Sequence, residues 1–199
     1  SGGMILCSSD AGNSWINTPE VTHVNLHGVK YYDASLCIAL GDSGVMLKST
    51  DIGISWVEIE NPATKSLYDM YFMDAENWLI VGNGGTLLRT SDGGQTFKPS
   101  SMGYYNINSI DFHGCFGVMV GHGWYLYVTN YSGITWRSVH LGQARQLWSV
   151  SVGNDSTAIA TGIDGVILHT NNRGTEWIQK HASVPIDNYR LTSVDHLTE

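Results

Sequence analysis

The chain has 199 residues, 42% of them hydrophobic and 14% charged, with a formal net charge of −8. Ten Lys and Arg against eighteen Asp and Glu leave no cationic face to neutralise phosphates, which argues against nucleic acid or an anionic membrane as partner. No apolar run approaches the ~20 residues of a membrane helix, so no membrane insertion is expected, and the length suits a single all-β domain over 1–199.

In chain order, the first predicted strand, "MILCS", leads into "SDAGNSW" and closes at Trp15. The second unit predicts strands at "THVNLH", "SLCIAL" and "VMLKS", with "GDSG" turning between the last two, and closes at Trp56. The third repeats this with "LYDMYF", "NWLIV" and "TLLRT" around "GNGG", closing at Phe97. The fourth reads "INSIDF", "FGVMV" and "LYVT" around "GHGW" and closes at Trp136; the fifth reads "LWSVSV", "TAIAT" and "VILHT" around "GIDG" and closes at Trp177. The final "RLTSVDHLTE" aligns with "QLWSVSVGN" as one more innermost strand. Short aliphatic and β-branched runs ending at glycines read as strands, and no segment keeps the i, i+3, i+4 spacing of a helix. The closing aromatics lie 41, 41, 39 and 41 residues apart, and about four short strands per unit is the content of one propeller blade.

Each unit carries a hydroxyl in one column, Ser8, Ser49, Thr90, Thr129 and Thr170, and a glycine four residues later, Gly12, Gly53, Gly94, Gly133 and Gly174. Such a pair specifies a turn: glycine accepts a positive φ, and a short polar side chain bonds the amides that follow. Between them stands an acid at Asp10, Asp51 and Asp92, replaced by Asn172 in the fifth copy and by Tyr131 in the fourth. One carboxylate per turn, dispensable in two copies, does not assemble the converging oxygens calcium requires, so no metal and no cofactor is expected.

The S-x-D-x-G-x-[ST]-W pattern resembles the Asp-box, or BNR repeat, of sialidases, sortilin-type receptors, xyloglucan hydrolases and the photosystem II assembly and stability factors. The full unit, G-x-x-G followed by three apolar residues and the box, is most similar to the last family and covers essentially the whole chain. The resemblance implies a β-propeller of about five four-stranded blades, either a small ring or part of a six- or seven-bladed one. It implies that Asp10, Asp51, Asp92, Asn172, the five glycines and Trp15, Trp56, Phe97, Trp136 and Trp177 are structural. It also implies a scaffold that holds a partner protein or peptide, with a glycan as the alternative ligand.

In the usual strand order the box turns face the lower rim, and a ligand meets the upper one. There the copies differ, offering Tyr68, His122, Trp124 and Trp148 as flat faces and Asp42, Asn108, Arg145, Asp164 and Arg190 as hydrogen-bonding groups. Sialidase chemistry needs three converging arginines, and of five in the chain only Arg145 and Arg190 fall near that rim. Asp42 and Asp164 occupy equivalent turns, where an Asp beside Gly is ordinarily a turn former, so no catalytic residue is expected. His23 and His27 would share a strand face with Asn25 in a hydrogen-bonded role.

Cys7, Cys37 and Cys115 form no metal-like spacing or disulfide framework, although one pair stays open. No signal peptide is visible, while Asn130 and Asn154 head N-x-S sequons, so soluble, secreted and organelle-lumenal locations all stay open.

Overall fold

A computed structural model describes residues 2–180 and 189–196. The chain forms two compact units, Ser1–Ser101 and Met102–Glu199, built from antiparallel sheets, with no α-helix among the described residues.

The first unit opens with a two-stranded sheet, β1 (Leu6–Cys7) and β2 (Ile16–Asn17). Two four-stranded meanders follow: β3 (Leu26–Asp33), β4 (Leu36–Gly41), β5 (Met46–Ser49) and β6 (Val57–Glu58), then β7 (Leu67–Phe72), β8 (Asn77–Gly82), β9 (Thr86–Ser91) and β10 (Lys98–Ser101). In each, the second strand is the most buried, because both of its faces meet other layers. Along β4, Leu36, Ile38 and Leu40 join a core with Met70, Trp78 and Ile80 of the third blade, while Cys37 and Ala39 point the other way toward Leu47 and Trp56. That two-sided burial is why the strand reads as a continuous apolar run.

The second unit contains β11 (Ile107–His113), β12 (Phe116–Thr129), β13 (Arg137–Val152), β14 (Ala158–Gly162), β15 (Ile167–Thr170) and β16 (Ile178–Lys180) in one six-stranded sheet. The sheet serves two blades because β12 supplies both middle strands of the fourth, and β13 runs on from the outer strand of the fourth into the inner strand of the fifth. Residues 190–196 lie against β13 as the alignment of "RLTSVDHLTE" with "QLWSVSVGN" anticipates. Val194 and His196 N–H donate to Ser149 and Ser151 Oγ at 3.2 Å, as Val150 and Val152 N–H reach Ser109 Oγ and Asp111 Oδ2. These residues form no ladder, and 197–199 lie outside the described residues.

The box turns are bonded from within. In the second copy, Ser49 Oγ accepts from Gly53 N–H at 2.8 Å, and Asp51 accepts from Ser55 N–H at 2.9 Å and Ser55 Oγ at 2.6 Å. The first and third copies repeat these contacts around Asp10 and Asp92. Asn172 keeps the backbone bond, accepting from Glu176 N–H at 3.0 Å, whereas at Tyr131 Thr129 Oγ1 alone accepts from Tyr131 and Gly133 N–H. The hydroxyl column therefore survives where the acid does not. Of the closing aromatics, Trp56 is 6% exposed and Trp15, immediately before β2 of the two-stranded sheet, is 61% exposed.

Candidate functional site

The turns joining second and third strands differ between copies in a way that traces to one glycine column. At 42–45 the chain makes a type I′ turn: Ser43 and Gly44 both have positive φ, 57° and 82°, and Val45 N–H donates to Asp42 O at 3.1 Å. Gly84 and Gly85, and Asp164 and Gly165, repeat the conformation. A Cβ at Gly44 would also lie 2.2 Å from the Ala63 carbonyl oxygen.

The fourth copy has Trp124 in this column. "GHGW", expected as a fourth turn, instead runs through as part of β12, with Gly123 alone at a positive φ of 104° and a register shift between Gly123 and Tyr125. A bulky side chain strains the left-handed region, so the chain bulges rather than turns. The strand then pairs His122 and Gly123 with Gln146 and Arg145 of β13.

This departure builds a pocket of about 350 Å³ lined by Tyr105, His122, Gly123, Trp124, Arg145, Gln146 and Ile163. Trp124, 42% exposed, stacks on His140 with ring centroids 5.7 Å apart, and Tyr125 meets the same imidazole edge-on at 5.1 Å. Arg145 is oriented by Gln179 Oε1 at 2.8 Å. Beside the pocket, His122 packs edge-to-face on Trp148 at 5.3 Å, and the Arg190 guanidinium lies 4.2 Å over the Trp148 ring. Burial, and then the Arg190 charge, push the His122 pKa below its ordinary value, favouring the neutral imidazole. Among the described residues, its Nε2 and the Nε1 of Trp148 are buried without a hydrogen-bond partner.

Thus His122, Trp124, Arg145, Trp148 and Arg190, all expected at the rim, stand together in the second unit. Asn108 of that unit has a different occupation: its Nδ2 donates to Leu147 O at 2.7 Å, tying β11 to β13. Asp164 is the exposed first central residue of its turn.

Asp42 and Tyr68 belong to the first unit. Asp42 Oδ1 contacts His27 Nε2 at 2.7 Å and accepts from Ser66 Oγ at 2.8 Å, while Oδ2 accepts from Asn25 Nδ2 at 3.0 Å. These bonds, His27 first, lower the Asp42 pKa to about 2. The His27 ring meets Tyr68 edge-on at 5.3 Å. His23 does not share this face: it precedes β3 and contacts Glu20 at 3.0 Å.

Sequence reasoning missed Tyr105 and Ile163, which reach the pocket from neighbouring segments. The signal pointing there was the loss of the rim glycine at 124. Among the described residues, no group of three or more His, Cys, Asp or Glu could hold a metal, and no helix is long and apolar enough to cross a membrane. Cys7, Cys37 and Cys115 are free thiols.

Four-stranded meanders, repeated box turns and a varied rim define an Asp-box propeller of the BNR type. The chain belongs to the family described as photosynthesis system II assembly factor YCF48, whose model matches residues 51–182. Among solved structures it is similar to YCF48 bound to D1 peptide, at 28% identity over 61% of this chain and 42% of that one, with TM-score 0.55. It is similar in fold to YCF48 from Cyanidioschyzon merolae, at 16% identity over 89% of this chain and 66% of that one, with TM-score 0.67. The same holds for a GH74 enzyme of Niastella koreensis, at 17% identity over 89% and 34%, with TM-score 0.69. The chain spans less than two thirds of the length of each of these structures. No curated protein matches it.

Proposed function

We propose that this chain is a non-catalytic scaffold that binds a partner protein or peptide through the upper rim of its fourth blade. The observation that carries this reading is the pocket formed where the repeat breaks: Trp124 removes a turn that three other copies make, and the bulged strand gathers aromatic and cationic side chains around an open cavity. Local rules tend to be broken at functional sites, and exposed aromatics beside Arg are the composition of binding anchors. The likeness to YCF48 bound to D1 peptide supports a peptide as the ligand class. Asp42, engaged by three side chains, is a rim-locking group in this reading rather than an acid or base, and a glycan is an outcome of the test.

A fluorescent D1 peptide is the first ligand to titrate, followed by partners captured from native extract and purified. Binding is expected to weaken at least about tenfold in Trp124→Ala, the scale of an interface anchor. Equal binding by Trp124→Ala and the unaltered chain, or turnover of β-glucans that Asp42→Ala abolishes, would overturn the proposal.

A further inference from the structure

A second cavity of about 540 Å³ opens in the same unit, between the outer strands of the fourth and fifth blades. Its apolar lining comes from Val139 and Leu141 of β13, Leu168 of β15, and Trp177 and Ile178 at the start of the outer strand of the fifth blade. Ile178 is 54% exposed, and β16 pairs only with β15 among the described strands, leaving an unpaired strand edge beside the groove.

The connection leaving the fourth blade differs from its counterpart in the first unit. In the first unit the connection after β6 folds back onto its blade: Asn61 Nδ2 donates to Gly44 O at 2.9 Å, and Asn61 Oδ1 accepts from Ala63 N–H at 2.9 Å. At the same distance past the closing aromatic, the fourth copy has Leu141 and Gly142 in place of Asn61 and Pro62. Leucine cannot make those bonds, and the connection pairs with β12 at His122 and Gly123 instead.

The two ends of the groove carry opposite charges. Glu176, Trp177, Ile178 and Gln179 follow in order from the box turn toward the rim, where Gln179 bonds Arg145, so the carboxylate stands at the box end and the guanidinium at the rim end. Among the described residues, neither group has an oppositely charged side chain within ion-pair distance. Arg145 also lines the rim pocket, so the two cavities share that side chain.

We propose that this groove is a second docking site, taking an extended peptide segment of the partner with an apolar residue between one acidic and one basic residue. The acid meets Arg145, the base meets Glu176, and the apolar side chain covers Leu141, Trp177 and Ile178. The free edge of β16 supplies main-chain hydrogen bonds, as in strand addition. This deepens the partner-binding reading and rests on it for the existence of a peptide ligand.

The test uses three fluorescein-labelled seven-residue peptides with a common Val-Leu-Val centre: one with Glu and Lys at opposite ends, one with Glu at both, one with Lys at both. By anisotropy the mixed peptide should bind the full chain about fivefold more tightly than either of the others, the scale of one exposed ion pair. Arg145→Glu should change the order, making the Lys-ended peptide the tightest and the Glu-ended one the weakest. Ile178→Glu should weaken the mixed peptide about tenfold through loss of the apolar contact. Equal affinity for all three peptides, an unchanged order in Arg145→Glu, or no binding up to about 1 mM would overturn the groove. A flat ranking beside a D1-peptide or partner interaction that Trp124→Ala disrupts would remove the groove while leaving the rim reading in place.

Discussion

Gly94→Ala and Gly12→Ala place the same methyl group on the same kind of backbone in two copies of the box turn. Both glycines are left-handed, with φ of 82° at Gly94 and 86° at Gly12, so an alanine pays a conformational penalty of about 1–2 kcal/mol at either site. Their surroundings differ. At Gly12 the new Cβ would meet the Trp15 ring at 3.9 Å, an ordinary contact with an exposed side chain. At Gly94 it would lie 2.6 Å from Trp78 Cζ3 and 2.8 Å from Cη2. Trp78 is fully buried, donates from Nε1 to Ala75 O at 3.0 Å and packs edge-on against Phe72 at 5.2 Å, so it has no room to retreat. Overpacking of that kind adds roughly 1–3 kcal/mol. The expected totals are about 2–5 kcal/mol for Gly94→Ala and about 1–2 kcal/mol for Gly12→Ala. Urea unfolding followed by both tryptophan fluorescence and circular dichroism gives the difference, provided the slopes agree between variants. Losses equal to within about 0.5 kcal/mol would refute the packing argument, leaving only the shared φ.

Acid should loosen the two units unequally. Hydrogen bonds from Ser14, Ser55, Thr96 and His27 hold Asp10, Asp51, Asp92 and Asp42 below the ordinary carboxylate pKa, to about 2 for Asp10, Asp92 and Asp42. A carboxylate depressed in the folded state stabilises fully above its unfolded pKa of about 3.9, and that contribution drains away as pH falls through the folded value. All four lie in the first unit, while the fourth and fifth boxes carry Tyr131 and Asn172. Amide protection measured by hydrogen exchange should therefore fall earlier in the first unit between about pH 4 and pH 2, and parallel loss in both would contradict the assignment. Thr129→Val should cost about 1–3 kcal/mol, because it strands the Tyr131 and Gly133 N–H groups that Oγ1 receives, whereas Thr129→Ser should lose much less. Trp124→Gly should let residues 123 and 124 adopt the paired left-handed conformation of 43 and 44 and turn β12 into a hairpin. Solution NMR couplings for φ check this, and a strand that stays continuous would show that the tryptophan is not what prevents the turn.

The meander order of the strands and the box turns are legible in the sequence because each depends on residues within a few positions of one another. The Thr90 hydroxyl reaches the Gly94 amide four residues on, and Gly94 takes the backbone shape that an adjacent side chain would resist; no distant partner is needed to specify either. The apolar run from Leu36 to Leu40 likewise announces a strand covered on both sides. What each rim residue does depends instead on partners brought in by register and by packing between blades. Asp42 looks like a free rim carboxylate until the fold brings His27, Asn25 and Ser66, 15 to 24 residues away, onto its two oxygens. Asn108 looks like a ligand-facing amide until Leu147 presents its carbonyl from 39 residues away. "GHGW" resembles the other rim turns in composition, and only pairing with β13 converts its bulge into a pocket wall. Local sequence determines which φ, ψ basins a segment can enter and which face of it is apolar. Tertiary structure alone decides which polar groups are already bonded within the fold, and so which are left to meet a partner.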